Sequence, residues 1–423
     1  MRFIADLHIH SKYSRATSKD MSPEGIWKWA QLKGITVIGT GDFTHPKWFR
    51  ELNEKLEPAG NGLFRLRKEY RSEDIPASCR AEVLFLLSVE ISCIYRKNGR
   101  TRKVHAVVFT PDFAAAARMN MALARIGNLN ADGRPILGLD VKELLRIALD
   151  ACPDAMLVPA HAWTPHFSVF GAESGFDSLE ECFEELTPHV HAIETGLSSD
   201  PAMNWRLSAL DRLTLISNSD AHSPAKIGRE ANVLDTEISY AEITGAIKTK
   251  AGFSGTIEFF PEEGKYHYDG HRSCGVSLSP RETIRHNYLC PVCGRRLTVG
   301  VMHRVEKLAD REEGYRPGNP QPYHSIIPLP EIIAEALKVG VNSKAVNNAY
   351  MQLLERLGSE FGILMDIPLD ELERASSPLV REAIARMRSG KVNIAPGFDG
   401  EFGKIRIFEA VERKEIKGQA PLF

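Results

Sequence analysis

The feature that most constrains this chain is a short apolar segment at its start that presents two histidines together. Residues 3–10 read FIADLHIH, which is the pattern of a buried β-strand. Residues two positions apart on a strand point to the same face, so His8 and His10 should project side by side. Two neutral imidazoles supply half of a typical metal site. The spacing alone is a weak signal, because core and surface histidines also produce it.

Later apolar runs repeat the arrangement, because each carries or is followed by a side chain that can bind a metal. Helix signals lie between these runs: Ser22 and Pro23 start a helix, and Gly34 ends it. Alternating strands and helices predict an α/β fold of the (β/α) barrel type, in which side chains at the carboxyl ends of the strands form the active site. The metal-capable residues in these runs are Asp42, His45, Glu90, His105, His161, Asp220 and His222.

Six motifs within residues 1–255 resemble the polymerase-and-histidinol-phosphatase (PHP) family of metallohydrolases. In chain order they are DLHIHSKYS, GTGDFTH, SVE, KVHAVVF, PAHAW and SNSDAH. The resemblance implies a distorted barrel that holds up to three divalent ions. Its implied ligands are His8, His10, Glu90, His105, His161, Asp220 and His222. The family commonly has Asp-His at the second motif, whereas Phe43 follows Asp42 here, so Asp42, His45 or both could be ligands at this position.

The chemistry of such a site is metal-assisted hydrolysis of a phosphoester. Bound Zn²⁺, Mn²⁺ or Mg²⁺ lowers the pKa of water and stabilises the attacking and leaving oxygens. A mixed set of histidines and carboxylates suits Zn or Mn better than Mg. We expect His8, His10, Glu90 and Asp220 to form the catalytic centre, and Lys12 and Arg15 to meet phosphate oxygens, unless they are solvated loop cations.

Composition sets broader limits on the class of protein. A chain of 423 residues predicts two or three domains, and a net charge of −2 gives no global basic field for nucleic acid. DNA binding would therefore depend on local patches. The sequence contains neither a signal peptide pattern nor an apolar run long enough to span a bilayer. We expect a cytoplasmic protein without membrane contact.

A cysteine cluster predicts a second domain over residues 256–315. Cys290 and Cys293 have the spacing of a zinc knuckle, and His271 and Cys274 lie upstream. These four residues resemble the ligand set of a zinc ribbon, in which a structural Zn²⁺ holds a small domain together. A redox Cys-x-x-Cys pair is the main alternative. The fourth ligand stays open at this point, since His267, His286 and His303 are close in sequence.

The sequence predicts a mostly helical third domain over residues 320–414. It predicts a flexible tail over residues 415–423. Apolar residues recur at helical spacing after Pro330 and Ser343, following a connector rich in proline and glycine. The tail ends in QAPLF, which resembles the peptide that binds bacterial sliding clamps. Its anchor residues would be Gln419, Leu422 and Phe423.

The order of these parts resembles the endonuclease Q family across nearly the whole chain. The segments that carry the resemblance beyond the barrel are HRSCGV, LTVGVMHRVEKLADR and PGFDGEFGKIRIF. The resemblance implies an endonuclease that cuts on the 5′ side of uracil, hypoxanthine and xanthine, and at abasic sites, in double- or single-stranded DNA. The break would leave a 3′ hydroxyl and a 5′ phosphate.

Damaged bases must leave the helical stack before an enzyme can recognise them. The loop HAWTPHFSVFG, which follows the expected ligand His161, could contact such a base through Trp163 and Phe167. Core packing is the alternative for these aromatic residues. Arg206 and Arg295 are further candidates for DNA contact.

Two other functions fit part of this sequence. A PHP-type phosphoesterase acting on small molecules would use the same metals, but would not need the ribbon or the helical domain. A DNA-binding accessory protein with a vestigial metal site would not need the full set of ligand-type residues.

Overall fold

The computed structural model describes residues 1–409 and 412. Its largest element is an eleven-stranded sheet in which most strands belong to residues 2–258. No helix of the described chain is both long and apolar enough to span a bilayer. The sheet and its surrounding helices confirm the predicted α/β class.

The strands are short except for one long hairpin. Their bounds are β1 (Arg2–Asp6), β2 (Val37–Gly39), β3 (Leu56–Pro58), β4 (Phe64–Leu66), β5 (Leu84–Lys97), β6 (Arg100–Thr110), β7 (Ile136–Leu137), β8 (Met156–Pro159), β9 (Ala192–Glu194), β10 (Thr214–Ile216), β11 (Ala231–Asp235), β12 (Phe253–Glu258), β13 (Asp269–His271), β14 (Val276–Leu278), β15 (Tyr323–Ser325), β16 (Asn393–Ala395) and β17 (Lys404–Arg406).

The helices begin where the sequence offers capping residues. Ser22 accepts a hydrogen bond from the Gly25 amide, Pro23 opens α1, and Gly34 ends it at φ 87°, as predicted. The helices are α1 (Pro23–Lys33), α2 (Pro46–Lys55), α3 (Phe113–Leu123), α4 (Val141–Ala151), α5 (Leu179–Phe183), α6 (Pro201–Asn204), α7 (Tyr240–Thr249), α8 (Pro280–Arg285), α9 (Val301–Leu308), α10 (Leu329–Leu337), α11 (Lys344–Leu357), α12 (Leu369–Ala375) and α13 (Pro378–Arg388).

The barrel departs from an all-parallel (β/α) barrel because it combines parallel and antiparallel strand pairs. β1 pairs in parallel with β2, and β2 with β5, whereas β11 runs antiparallel to β1. β6 runs antiparallel to both β5 and β8, and β9 pairs in parallel with β10. The end of β10 returns to the start of the chain, where the Asp220 amide donates to the carbonyl of His8 at 2.9 Å. The first and last motifs of the barrel therefore meet.

Two strand boundaries differ from the sequence interpretation. β1 ends at Asp6, so His8 and His10 follow the strand, and Ile9 between them forms a parallel bridge with Ala221. The bridge preserves the strand-like alternation that places both imidazoles on one side. Glu90 was expected at a strand end, but β5 continues seven residues beyond it to Lys97. The reason is the Asn98-Gly99 turn, whose positive φ angles of 52° and 75° favour a tight hairpin into β6.

The predicted second and third domains pack against the barrel. Arg304 of α9 donates to the carbonyl oxygens of Phe170 and Phe176, both at 2.8 Å. The connector after α9 was expected to be irregular, but its residues 323–325 form β15, which pairs in parallel with β12 of the barrel. The sequence-based domain boundaries stay predictions, although β15 shows that the third region contributes a strand to the first.

Two buried glutamates lie at one end of the antiparallel pair β11 and β12. Ala231 pairs with Ile257, so Glu230 and Glu258 follow at neighbouring positions. Glu258 Oε2 accepts hydrogen bonds from the hydroxyls of Thr195 and Ser217 at 3.0 and 3.1 Å. Burial raises the pKa of Glu258 to about 8, and burial together with Glu258 raises the pKa of Glu230. Two adjacent buried carboxyl groups are stable only when proton uptake removes their mutual repulsion.

This pair predicts a stability that falls in alkaline solution. The folded-state pKa of Glu258, about 8, exceeds its ordinary value of 4.5, so the native state binds more protons between these values. The free energy of unfolding should therefore decrease as pH rises through this range. Glu258→Gln mimics the protonated form and should have a higher melting temperature than wild type at pH 9. Glu237→Gln, which changes an exposed glutamate, is the control. Identical pH dependence in wild type and Glu258→Gln would contradict the argument.

Candidate metal centre

Four side chains from three parts of the chain converge on one point inside the barrel. His10 Nε2 lies 3.1 Å from Glu90 Oε2 and 3.0 Å from Asp220 Oδ1. His8 Nε2 lies 3.6 Å from the same glutamate oxygen and 3.7 Å from the same aspartate oxygen. One ligand atom from each of the four residues falls within 4.8 Å of all the others. This is the spacing of ligands around a single ion.

The hydrogen-bonding pattern of these atoms fits a metal ion. His8 Nε2, His10 Nε2 and Asp220 Oδ1 are buried and form no hydrogen bond with any described residue. A buried polar atom without a partner is costly, and it is rare in folded proteins. Here all three atoms face the same point. The donor set of two imidazoles and two carboxylates fits a Zn²⁺ or Mn²⁺ ion at that point.

A second group of ligand atoms shares Glu90 with the first. Glu90 Oε1 lies 2.7 Å from His105 Nδ1 and 3.1 Å from His161 Nε2. Those two nitrogens are 3.3 Å apart. Burial lowers the pKa of His105 to about 4 despite the neighbouring Glu90, so this imidazole is neutral and able to bind a metal at physiological pH. Glu90 therefore faces one ligand group with each of its two oxygens.

Charge pairing dominates the protonation of this buried cluster. Burial alone would lower the pKa of His8, but the carboxylates of Glu194 and Glu90 raise it well above its ordinary value. The same competition raises the pKa of His10, where Asp42 and Asp220 outweigh burial. Without a cation, protons on these imidazoles neutralise the carboxylates. A metal ion would have to displace those protons, which couples metal binding to pH.

Asp42 lies behind His10, outside both ligand groups. One of its oxygens is 3.1 Å from His10 Nδ1. The other accepts hydrogen bonds from the Ser11 amide at 2.7 Å and from the Ser11 and Ser14 hydroxyls at 2.6 and 2.8 Å. Its oxygens are thus occupied by protein donors. The structure consequently places Asp42 where it orients the His10 ring, rather than at the metal position expected from its motif.

Glu194 supports His8 in the same way. Both of its oxygens are 3.1 Å from His8 Nδ1, and it also accepts from the His161 amide at 2.8 Å. The Asn218 side chain donates to it at 3.0 Å. No motif predicted that this single carboxylate would join three chain segments, because the contacts are distant in sequence.

The remaining histidines of the barrel motifs lie beside the two ligand groups. The His222 ring centre is 4.4 Å from that of His10, and His222 Nδ1 is 2.9 Å from the backbone oxygen of Asp220. His45 stacks on Tyr13 at 4.5 Å. Neither histidine belongs to a ligand group that the structure defines.

Three residues of the centre adopt left-handed backbone conformations. Asp42, His161 and Asp220 have φ angles of 53°, 30° and 47°. Such angles cost energy in residues other than glycine, and they persist where the surroundings impose them. Each of the three follows a strand and turns its side chain towards the cluster. A residue-by-residue reading of the sequence does not detect this conformation.

The structure separates the candidate DNA-contact residues. Trp163 is fully buried, and its indole donates to Asn204 at 2.8 Å. Arg206 is 4% exposed and pairs with Glu306. Both side chains hold the barrel loops and α9 together, and this burial does not favour the DNA contacts expected of them. Phe167 is half-buried, 4.7 Å from the His105 ring, and Arg295 is exposed on the ribbon.

The two cations that were expected to meet phosphate oxygens lie in different surroundings. The Lys12 ammonium pairs with Glu51 at 2.8 Å, while Arg15 is exposed. Sequence reasoning missed Arg134, whose Nη1 donates to Glu90 Oε2 at 3.0 Å. The only available signal was the turn sequence Asp-Gly-Arg-Pro around it.

The ribbon brings its four expected ligands together. Single atoms of His271, Cys274, Cys290 and Cys293 lie within 4.8 Å of one another, and Cys293 Sγ is 3.4 Å from His271 Nδ1. Desolvation would raise the pKa of Cys290, but the backbone amides of Cys293 and Val292 lower it to about 6, which favours the thiolate that binds zinc.

The alternative histidines lie elsewhere in the ribbon. His303 pairs with Asp269 at 2.7 Å, and His267 is buried. His286 ends α8. The geometry therefore favours His271 as the fourth ligand.

Asp42→Asn should weaken metal binding without removing a ligand. The amide would keep the shape of the carboxylate but would no longer pair with His10 as an anion. Loss of such a supporting group typically lowers metal affinity about 10–100-fold. Competition with a fluorescent chelator would measure this affinity. The matched control is Asp150→Asn, which changes an exposed aspartate outside the centre, and an unchanged affinity in Asp42→Asn would exclude the orienting role.

Cys290→Ser should remove one metal equivalent from the ribbon and leave the barrel centre intact. A weaker ligand set should destabilise this small domain, whose cohesion depends on the ion. Elemental analysis of purified wild type, Cys290→Ser and His8→Ala would separate the two populations. The expectation fails if Cys290→Ser depletes barrel metal as strongly as His8→Ala does.

Two comparisons match parts of this sequence. Residues 328–391 match the family model described as the MJ0043 C-terminal domain. An uncharacterised protein, MJ0043, of Methanocaldococcus jannaschii is 33% identical over 253 residues, which are 58% of this chain and 31% of that protein. The matched region thus spans about a third of that relative's length.

Two solved structures match from end to end. The lesion-specific endonuclease PfuEndoQ from Pyrococcus furiosus is 32% identical, with a TM-score of 0.85, and the match covers 100% of this chain and 98% of that chain. Endonuclease Q in complex with a 27-mer duplex that has an abasic lesion at the active site is also 32% identical, with a TM-score of 0.82 and coverage of 100% and 99%. These matches confirm the resemblance that the motifs indicated and the prediction of a hydrolase. This chain belongs to the endonuclease Q family.

Proposed function

We propose that this protein is a DNA-repair endonuclease that hydrolyses the phosphodiester bond on the 5′ side of a damaged nucleotide. The damage would be a deaminated base, namely uracil, hypoxanthine or xanthine, or an abasic site. One observation carries the proposal: Glu90 joins two adjacent groups of buried metal-type ligands. The relatives add support, since one is a lesion-specific endonuclease and the other was solved with a duplex containing an abasic lesion.

The residues of the centre can be assigned roles from their contacts. His8, His10, Glu90 and Asp220 would hold one divalent ion, and Glu90, His105 and His161 a second. Ions bound there activate water and neutralise charge on a phosphoester. Glu194 and Asp42 hold His8 and His10 in a fixed ring orientation, so that Nε2 of each ring faces the cluster. The near-complete burial of His8, His10 and Glu90 keeps bulk water from competing for these positions.

Phe167 is the side chain best placed to contact an extruded nucleotide. Its ring lies against His105 and beneath the Lys103 ammonium, 5.3 Å from the ring centre. An aromatic face at the edge of the centre could stack on a base that has left the helix. Trp163 does not take this role, because it is enclosed by the barrel loops.

Other parts of the proposal rest on the sequence. Binding of single-stranded DNA and a cytoplasmic location belong to it. So does clamp binding through Gln419, Leu422 and Phe423, which lie outside the described residues. Arg295, exposed on the ribbon, is proposed to contact the DNA backbone.

The decisive experiment compares substrates that differ only in the lesion. Full-length protein with Mn²⁺ should nick duplexes that contain one uracil, one hypoxanthine or one abasic site, and should leave the undamaged duplex and p-nitrophenyl phosphate intact. Asp220→Asn and His8→Ala should reduce nicking roughly a thousandfold, because losing an ion removes several kcal/mol of transition-state stabilisation. His189→Ala, an exposed histidine, is the matched control. Rapid release of p-nitrophenol without nicking would instead identify a small-molecule phosphoesterase.

A further inference from the structure

A single arginine reaches the metal centre from a loop that no motif predicted. Arg134 lies in the loop that connects α3 to β7, and its Nη1 donates to Glu90 Oε2 at 3.0 Å. Nε and Nη2 form no hydrogen bond with any residue that the structure describes, and 28% of the side chain is exposed. The guanidinium group is therefore held through Nη1, while Nε and Nη2 remain available to bind a ligand.

The backbone around Arg134 is fixed to the elements that build the centre. The Gly133 amide donates to the carbonyl of Tyr13 at 3.0 Å, and the Pro135 carbonyl accepts from the Ser92 amide at 3.0 Å. The Arg134 amide itself donates to Asp132 at 3.1 Å. These bonds link the loop to the segment after β1 and to β5, so the position of the guanidinium is set by the fold.

Gly133 shows how closely this loop approaches the centre. A Cβ atom at this position would lie 2.3 Å from Asp42 Oδ2 and 2.4 Å from Ser14 Oγ. A side chain larger than hydrogen would therefore displace the group that orients His10. The contact brings Arg134 next to Glu90 with little freedom to move.

The charge of the centre with metal ions bound indicates what kind of ligand Arg134 would bind there. Two divalent ions would bring four positive charges, which the four carboxylate groups around the centre could offset; these are Glu90, Asp220, Asp42 and Glu194. The guanidinium of Arg134 is then one cation in excess, which is unfavourable unless an anion joins it. Guanidinium groups bind phosphate oxygens through several parallel N–H donors, and Nε and Nη2 of Arg134 form no hydrogen bond with any residue that the structure describes.

The cations that the sequence suggested for this task are poorly placed. Lys12 is paired with Glu51, which also pairs with Lys55 at 2.7 Å. Arg15 is exposed, and its recorded contact with Asp132 involves its backbone amide. Arg134 is the cation that contacts a ligand of the centre directly.

We propose that Arg134 binds a non-bridging oxygen of the scissile phosphate and neutralises the charge that develops there during hydrolysis. This inference rests on the proposed function, because it needs a phosphodiester at the centre. Arg134 is then a substrate-binding residue of the reaction, and its ion pair with Glu90 holds the guanidinium in position before DNA arrives.

A double-mutant cycle between the protein and the DNA tests this contact. Two uracil-containing duplexes resist cleavage at the scissile position. One has a 3′-methylenephosphonate, which keeps the negative charge, and the other a methylphosphonate, which removes it; its two stereoisomers are tested separately. Fluorescence anisotropy with Mn²⁺ present measures the Kd of each duplex for wild type, Arg134→Ala, Arg134→Lys and Arg125→Ala. Arg125 is an exposed arginine after α3 and serves as the matched loss of one charge.

We expect wild type and Arg125→Ala to bind the charged duplex at least tenfold more tightly than one neutral stereoisomer. Arg134→Ala should retain less than a threefold preference, and Arg134→Lys an intermediate one, since lysine keeps the charge but not the planar fork. Metal content per chain should equal that of wild type in all variants.

Three results would overturn the inference, and they are distinguishable. A wild-type charge preference that persists in Arg134→Ala excludes contact with the scissile phosphate while leaving the proposed function intact. Loss of metal from Arg134→Ala would mean that Arg134 acts only by positioning Glu90. A wild type that neither nicks nor prefers uracil-containing DNA would overturn the proposed function together with this inference.

Discussion

The buried carboxylate of Glu90 is the interaction on which the centre depends. It contacts His10 and Arg134 through one oxygen and His105 and His161 through the other. Burial should raise the pKa of this glutamate, but the surrounding cationic groups lower it well below its usual range. An ionised carboxylate without exposure to water is tolerated only when it is so surrounded. The barrel brings these partners to one place from four separate segments of the chain.

The supporting carboxylates extend the same principle outward. Asp42 and Glu194 are as deeply buried as the ligand groups, and each accepts hydrogen bonds from several donors of the protein. Each lies behind a histidine and fixes which ring nitrogen faces the cluster. The left-handed conformations of Asp42, His161 and Asp220 show that the backbone at the strand ends yields to this arrangement. At these three residues, the contacts made in the centre outweigh the intrinsic preference of the backbone for negative φ angles.

The accessory regions differ in what holds them to the barrel. The ribbon has few buried apolar residues of its own, and its cysteine cluster provides the cohesion that a larger core would supply. It also docks through Arg304 and through the pair of Arg206 with Glu306. The helical region instead shares the hydrophobic core through residues such as Ile332, Leu354 and Ile384. Arg206, which the sequence suggested for DNA contact, thus serves as a link between the barrel and the ribbon.

The sequence by itself determined the family, the α/β class and most of the candidate metal ligands. These could be predicted because residue types that bind metals recur within its apolar runs or directly after them. His8, His10, Glu90 and the ribbon set could be read in this way, since each motif is local. Only the tertiary structure decided that Asp42 lies behind His10, that Trp163 and Arg206 are internal, and that Arg134 enters the centre. Those outcomes depend on contacts between segments that are distant in the chain, such as Arg134 with Glu90 at a separation of 44 residues and Arg206 with Glu306 at a separation of 100. A local pattern indicates which chemistry a side chain can perform, while its neighbours in space decide whether it binds, supports or packs.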